Sequence, residues 1–144
     1  MARQRFDDTH LKDVEKAVHE QITRPEIAAR VHSGMRIAIG AGSRGIANIG
    51  ITVRATVQAL RKLGAKPFVF PAMGSHGGAT AEGQQAVLAG YDISEESVGA
   101  PIRATMDTVL IGEMEDGTPV HMDRYAHEAD GVVLINRIKP HTSF

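Results

Sequence analysis

Three short stretches hold the side chains best suited to chemistry. Ser43 and Arg44 lie within Gly40-Ala41-Gly42-Ser43-Arg44-Gly45, and Ser75 and His76 within Gly74-Ser75-His76-Gly77-Gly78. Asn136, Arg137, Lys139 and His141 cluster near the last residue, Phe144. A guanidinium can grip a carboxylate through two parallel hydrogen bonds, which makes Arg44 a candidate anchor for an acid. Imidazoles as a class titrate near neutrality and serve as acid and base in turn. Two of them on opposite faces of a substrate suit stereochemical inversion, one removing a proton and one returning it on the other side. Flanking glycines leave His76 unshielded, and Pro140 stiffens the chain before His141. A lone loop histidine is more often a solvated surface residue, so the weight of this reading rests on where the loops lie.

The elements around these loops predict that position. Met35–Gly40 and Pro67–Pro71 are short apolar runs, as buried strands are, and Val132–Asn136 is a third. Helical patterns alternate with them. Val53, Val57 and Leu60 form one stripe that ends at Gly64, with Asn48 as N-cap. Thr80 caps a second helix that carries Val87 and Leu88 and ends at Gly90, and Ser94 caps a short turn. Residues 1–34 read as a helical segment. Leu11, Val14, Ala17 and Val18 recur at helical spacing, Pro25 marks a break or the first turn of a second helix, and Gly34 closes the segment. Asp116-Gly117 between two apolar runs signals a hairpin, expected to add antiparallel strands at one sheet edge. Strand–helix alternation predicts a parallel-core, Rossmann-like α/β sheet with flanking helices. In such a sheet, loops at the carboxyl ends of the strands build the site. All three reactive stretches follow a predicted strand.

Alternatives exist for several of these residues. Gly40 to Gly45 matches G-x-G-x-x-G between a strand and a helix, where backbone N–H groups would face a pyrophosphate. The acidic residue expected about 20 positions on, for the ribose hydroxyls, is missing from Lys66-Pro67-Phe68-Val69-Phe70-Pro71. The plainer reading is that the glycines allow a tight turn and close packing. His121, Asp123 and His127 have the residue types of a metal site, but a solvated strand end and turn is the stronger reading. His10, His19 and His32 read as surface residues, and Met73, Met106, Met114 and Met122 as core filler.

Composition narrows the function classes. With no Cys among 144 residues, thiolate nucleophiles, disulfides and Cys-ligated zinc or iron–sulfur centres are excluded from this chain. Sixteen basic against 17 acidic residues give a net charge of −1, which argues against non-specific nucleic-acid binding. No apolar run approaches the roughly 18 residues of a membrane span, and MARQRFDDTHLKD lacks a signal-peptide core. The expectation is a cytoplasmic protein with neither nucleic acid nor membrane as partner. A homo-oligomer is left open.

Arg44-Gly45-Ile46-Ala47-Asn48, Pro71-Ala72-Met73-Gly74-Ser75-His76-Gly77-Gly78-Ala79-Thr80 and Asn136-Arg137-Ile138-Lys139-Pro140-His141-Thr142 resemble the amino-terminal part of proteins related to nickel-dependent lactate racemase. The resemblance runs from about Met35 to the last residue. It implies racemisation or epimerisation of a small 2-hydroxy acid. A nickel-pincer nucleotide would accept and return a hydride while two histidines handle the hydroxyl proton. Residue by residue, it implies His76 and His141 as the catalytic pair and Arg44, with Ser43 beside it, as the substrate-binding residues. Ser75, Gly77 and Lys139 fall on the cofactor side. No metal ligand is implied within this chain, because the family's nickel-binding histidine and cofactor-attaching lysine follow the second catalytic histidine; Lys139 precedes it. Ala41 stands where the lactate enzyme has an aspartate, and Gly45 where it has a proline. Gly77 and Gly78 replace an arginine and a proline. These changes imply a related branch with another hydroxy acid as substrate. The expected organisation is a helical segment, 1–34, followed by an α/β domain, 35–144, forming the amino-terminal part of a larger two-domain enzyme and inactive alone. The alternative is a non-catalytic α/β module that binds a nucleotide or an anion.

Overall fold

The computed structural model describes residues 10–43 and 45–137. Strands β1 (Arg36–Ala41), β2 (Lys66–Pro71) and β5 (Gly131–Ile135) form one parallel sheet in the order β2-β1-β5. After its first residue, β1 is buried along its length, and so is β2. Unbroken apolar runs are what parallel strands covered on both faces require. The register is level. Ala38 lies between Phe68 and Val132, and Ala41 between Pro71 and Ile135. All three strands therefore end together, and the residues that follow them start from one edge.

One face carries Ile37, Ile39, Ala41 and Val69 and is covered by α3 (Ile49–Lys62) through Val53, Val57 and Leu60. Leu88 of α4 (Ala81–Ala89), Ile93, and Val98 of α5 (Glu95–Val98) complete this core. Side chains such as Ile39 and Leu60 are essentially fully buried, which stabilises by about 1.5–3 kcal/mol each. Helix α1 (Val14–Ile22) lies against α3, tied by Arg54 and Glu15 at 2.9 Å. Pro25 occupies the first turn of α2 (Pro25–Ala28), where a missing N–H costs nothing. No helix among the described residues is long and apolar enough to cross a membrane.

The opposite face packs Ala38, Phe68 and Phe70 against Ala126 of α6 (Arg124–His127), with Met122 and Tyr125 beside them. This cover is partial, and Leu134 of β5 remains 65% exposed.

The hairpin forms as expected, with β3 (Thr108–Glu113) and β4 (Pro119–Asp123) joined through Asp116-Gly117. Its placement differs. It is a separate two-stranded sheet rather than an addition to the edge of the parallel one. The free edge of β2 is already engaged: Val69 N–H donates to Pro101 O (2.9 Å), and Arg103 N–H donates to Val69 O (2.8 Å). The hairpin packs over the second face instead, through Met122.

The caps divide similarly. Thr80 Oγ1 accepts from Gly83 N–H at 3.0 Å, and Ser94 forms a reciprocal pair with Ser97. Asn48 is the N-cap residue of α3, as expected, but its side chain accepts no capping hydrogen bond. It takes a left-handed conformation, φ 56°, that asparagine tolerates, and its carbonyl receives Thr52 N–H.

Burial separates two substitutions on the sheet. Ile39→Ala should cost about 2–5 kcal/mol, whereas Leu134→Ala should stay within about 0.5 kcal/mol. Urea unfolding followed by circular dichroism distinguishes them.

Candidate active site

The topology fixes where a site can form. The chain runs from β1 to β2 on one side and later returns to β5 on the other. The strand order therefore reverses at β1, and a crevice opens outside its carboxyl end. The first loop leaves β1 there, and the loop after β5 faces it.

These loops are bound to each other. Gly42 N–H donates to Ile135 O (3.0 Å), and Ala72 N–H donates to Ala41 O (2.8 Å), extending the sheet pairing by one step on each side. Asn136 then covers Gly42. A Cβ at that position would run into Asn136 Oδ1, so only glycine leaves the amide its place. Arg137 Nη1 donates to the Gly45 carbonyl at 3.2 Å. Two residues that immediately follow β5 thus clasp the first loop at two points. The fingerprint glycines Gly42 and Gly45 have packing partners of their own, which is the plainer of the two readings of that motif.

The second loop brings His76. Its imidazole Nδ1 lies 2.5 Å from Ser43 Oγ, a contact between side chains 33 positions apart. Ser43 is buried at 8% exposure, and His76 is half-buried. The backbone around the histidine is tightly held. Ala79 N–H reaches the carbonyls of Ser75 and His76, and Thr80 Oγ1 donates to Gly77 O (3.1 Å). Gln84 Nε2 donates to Gly74 O at 2.6 Å. Gly77, φ 65°, presses onto the backbone of Gly83 and Gln84, where any Cβ would overlap. Ser75 is exposed at the tip of the loop.

Of the residues singled out from sequence, Ser43, Ser75, His76 and Gly77 therefore sit at the expected edge, with Asn136 and Arg137 opposite. Ser43 and His76 touch. Arg44, Lys139 and His141 lie outside the described residues. Gln84 was missed by sequence reasoning. It is a polar residue, 5% exposed, on the same stripe of α4 as Leu88. A glutamine four residues before a core leucine was the available signal.

A cleft of about 580 Å³ borders the Gly74 loop on the second face of the sheet, with Phe70, Met73, Gln84, Met106, His121 and Asp123 in its lining. His76 does not line it. Asp123 caps α6, accepting from Ala126 N–H at 3.0 Å, and His121 Nδ1 lies 3.3 Å from Thr108 Oγ1. Both have ordinary structural partners. Among the described residues no group of three or more His, Cys, Asp or Glu is placed to hold a metal.

A family model described as the lactate racemase N-terminal domain matches residues 3–144. The chain belongs to this family. No curated protein and no solved structure matches it. The match covers the strands, the clasped loops and His76, and it relates the chain to racemases, a class of isomerase.

Two measurements probe this region. Gly77→Ala combines a positive φ with backbone overlap and should cost at least about 1–3 kcal/mol, read as a lowered denaturation midpoint. Burial pushes the Asp123 carboxyl above the usual carboxylate range, against backbone hydrogen bonds from Ala126 and Tyr125. A raised folded-state pKa gives stability that is complete below the unfolded value, about 3.9, and is lost as pH rises through the folded value. Asp123→Asn keeps a capping oxygen and should remove that loss. Unfolding free energies measured between roughly pH 3 and pH 7, an interval that contains the usual carboxylate values, should fall less steeply in the variant.

Proposed function

We propose that this chain supplies the substrate-handling part of a racemase or epimerase acting on a small 2-hydroxy acid. The observation that carries the reading is the meeting of the loops after β1, β2 and β5 at one sheet edge, with His76 held against Ser43. Membership of the lactate racemase N-terminal domain family supports the reaction class.

In this reading Arg44 binds the carboxylate of the substrate and orients it. His76 takes the proton of the 2-hydroxyl group and gives it back when the carbinol is re-formed. His141 performs the same task from the other face. Loss of the hydroxyl proton to a histidine, together with loss of the C2 hydride to a bound hydride carrier, would give the ketone level, and return of both would complete either enantiomer. The clasp of Asn136 and Arg137 keeps the first loop close to the edge, which supports the role of Gly40 to Gly45 as a substrate loop rather than a pyrophosphate cradle.

The resemblance also implies a nickel-pincer nucleotide as the hydride carrier. By the resemblance, the residues that would attach it and bind its nickel follow His141, outside the described residues, and the group would supply the hydride acceptor. The assignments of Ser75, Gly77 and Lys139 to the cofactor side, of the cytoplasm as location, of residues 35–144 as part of a two-domain enzyme, and of a homo-oligomer are further parts of the proposal.

Racemisation assays over a panel of 2-hydroxy acids, with the full-length protein charged with its nickel cofactor, test it. Turnover of at least one acid is expected. His76→Ala should lose on the order of 10²–10⁴-fold in kcat while the protein stays folded. Absence of turnover with every acid, or full activity in His76→Ala, would overturn the reading.

A further inference from the structure

The loop that carries His76 is fixed through its backbone, by Gln84 on Gly74 O, by Thr80 on Gly77 O and by the overlap-tight approach of Gly77 to Gly83. What remains free is the rotation of the imidazole about its own side-chain bonds. One side-chain hydrogen bond among the described residues restrains it, that between Nδ1 and Ser43 Oγ. The Ser43 hydroxyl in turn has His76 as its side-chain partner, and it is buried at 8% exposure. A buried hydroxyl left without a partner costs about 1–3 kcal/mol, so the contact is held from both sides.

The chemical type of the partner matters. A carboxylate beside Nδ1 accepts only, and therefore favours the imidazolium and one neutral tautomer. A hydroxyl both donates and accepts. When Nδ1 carries a lone pair, Ser43 donates to it and the ring proton sits on Nε2. When Nδ1 carries a proton, in the other tautomer or in the imidazolium, the Ser43 oxygen accepts it. The same contact survives every protonation state of the ring.

From this we infer that Ser43 is a positioning residue for His76, holding the imidazole in one orientation through both halves of a reversible proton transfer at Nε2 without favouring either half. The inference rests on the acid/base role of His76 proposed above, and it changes the part expected of Ser43. Its hydroxyl is turned to the histidine rather than to the substrate carboxylate. A reaction that must run equally well in both directions is served by a partner that tolerates the acid and the base form alike.

Two arms test it. In the chain labelled with ¹⁵N-histidine, ring signals of His76 are assigned by their loss in His76→Gln. Ser43→Ala should move the Nδ1 signal by several ppm, because the hydrogen bond at that nitrogen is lost. Ser43→Thr, which keeps the hydroxyl, should restore the wild-type position. Far-UV circular dichroism monitors folding, and Ser43→Cys, close in size to serine but a weak donor, replaces Ser43→Ala if the latter fails to fold. In the full-length, cofactor-charged protein, Ser43→Ala should lower kcat on the order of 10²-fold with KM little changed, and Ser43→Thr should recover it. Unchanged Nδ1 signals in Ser43→Ala, or no recovery in Ser43→Thr, overturn the inference. The spectroscopic arm needs no turnover. A shifted Nδ1 signal in a protein that racemises nothing would therefore keep the positioning role and discard the racemase reading.

Discussion

Strand β1 is paired in level register on both sides, and everything at the candidate site depends on that pairing. Ala41 is flanked by Pro71 and Ile135. The next residue on each strand therefore emerges at one height, so that Ser43 can meet His76 and Asn136 can cover Gly42. Because side chains alternate between faces with a period of two, a slip of one residue in β5 would turn Val133 and Ile135 away from the α3 core. The same slip would carry Asn136 and Arg137 off Gly42 and Gly45. The hydrophobic pattern of the last strand and the shape of the first loop are thus set by one register.

Much of this was legible in the sequence, because the signals were local. Unbroken apolar runs marked β1 and β2, Thr80 and Ser94 marked helix starts, and Asp116-Gly117 marked the hairpin turn. The rule that sites form at the carboxyl ends of parallel strands then brought Ser43 and His76 to one edge. The failures came where a distant segment decided the outcome. Where the hairpin would pack depended on Pro101–Arg103 already occupying the edge of β2, and no pattern in the hairpin itself encodes that. Asn48 has a good capping side chain, yet the loop delivers it in a left-handed conformation. Gln84 looks like a surface residue until the Gly74 carbonyl arrives beside it. Proximity of Ser43 to His76 was implied by the topology, but the bond between them was not.

The G-x-G-x-x-G stretch shows how one pattern serves different ends. In a dinucleotide site the bare backbone of such glycines is kept clear for phosphate. Here the clearance over Gly42 is filled by Asn136, and the Gly45 carbonyl is engaged by Arg137. The sequence requirement for glycine is the same in both cases. What differs is the group that uses the space, and that group comes from a segment 92 residues further along in the case of Arg137.

That distance has a temporal side. The first loop is translated early, but the residues that clasp it follow β5, 92 positions after Gly45 in the case of Arg137. At the usual ribosomal pace of about 5–20 residues per second, the loop waits on the order of 5–20 s for its partners. Contacts so remote in sequence form slowly in any case, because the intervening chain must be ordered first. The β1–β2 pair can be made while synthesis proceeds, whereas the clasp on the first loop has to wait until the residues after β5 have been added.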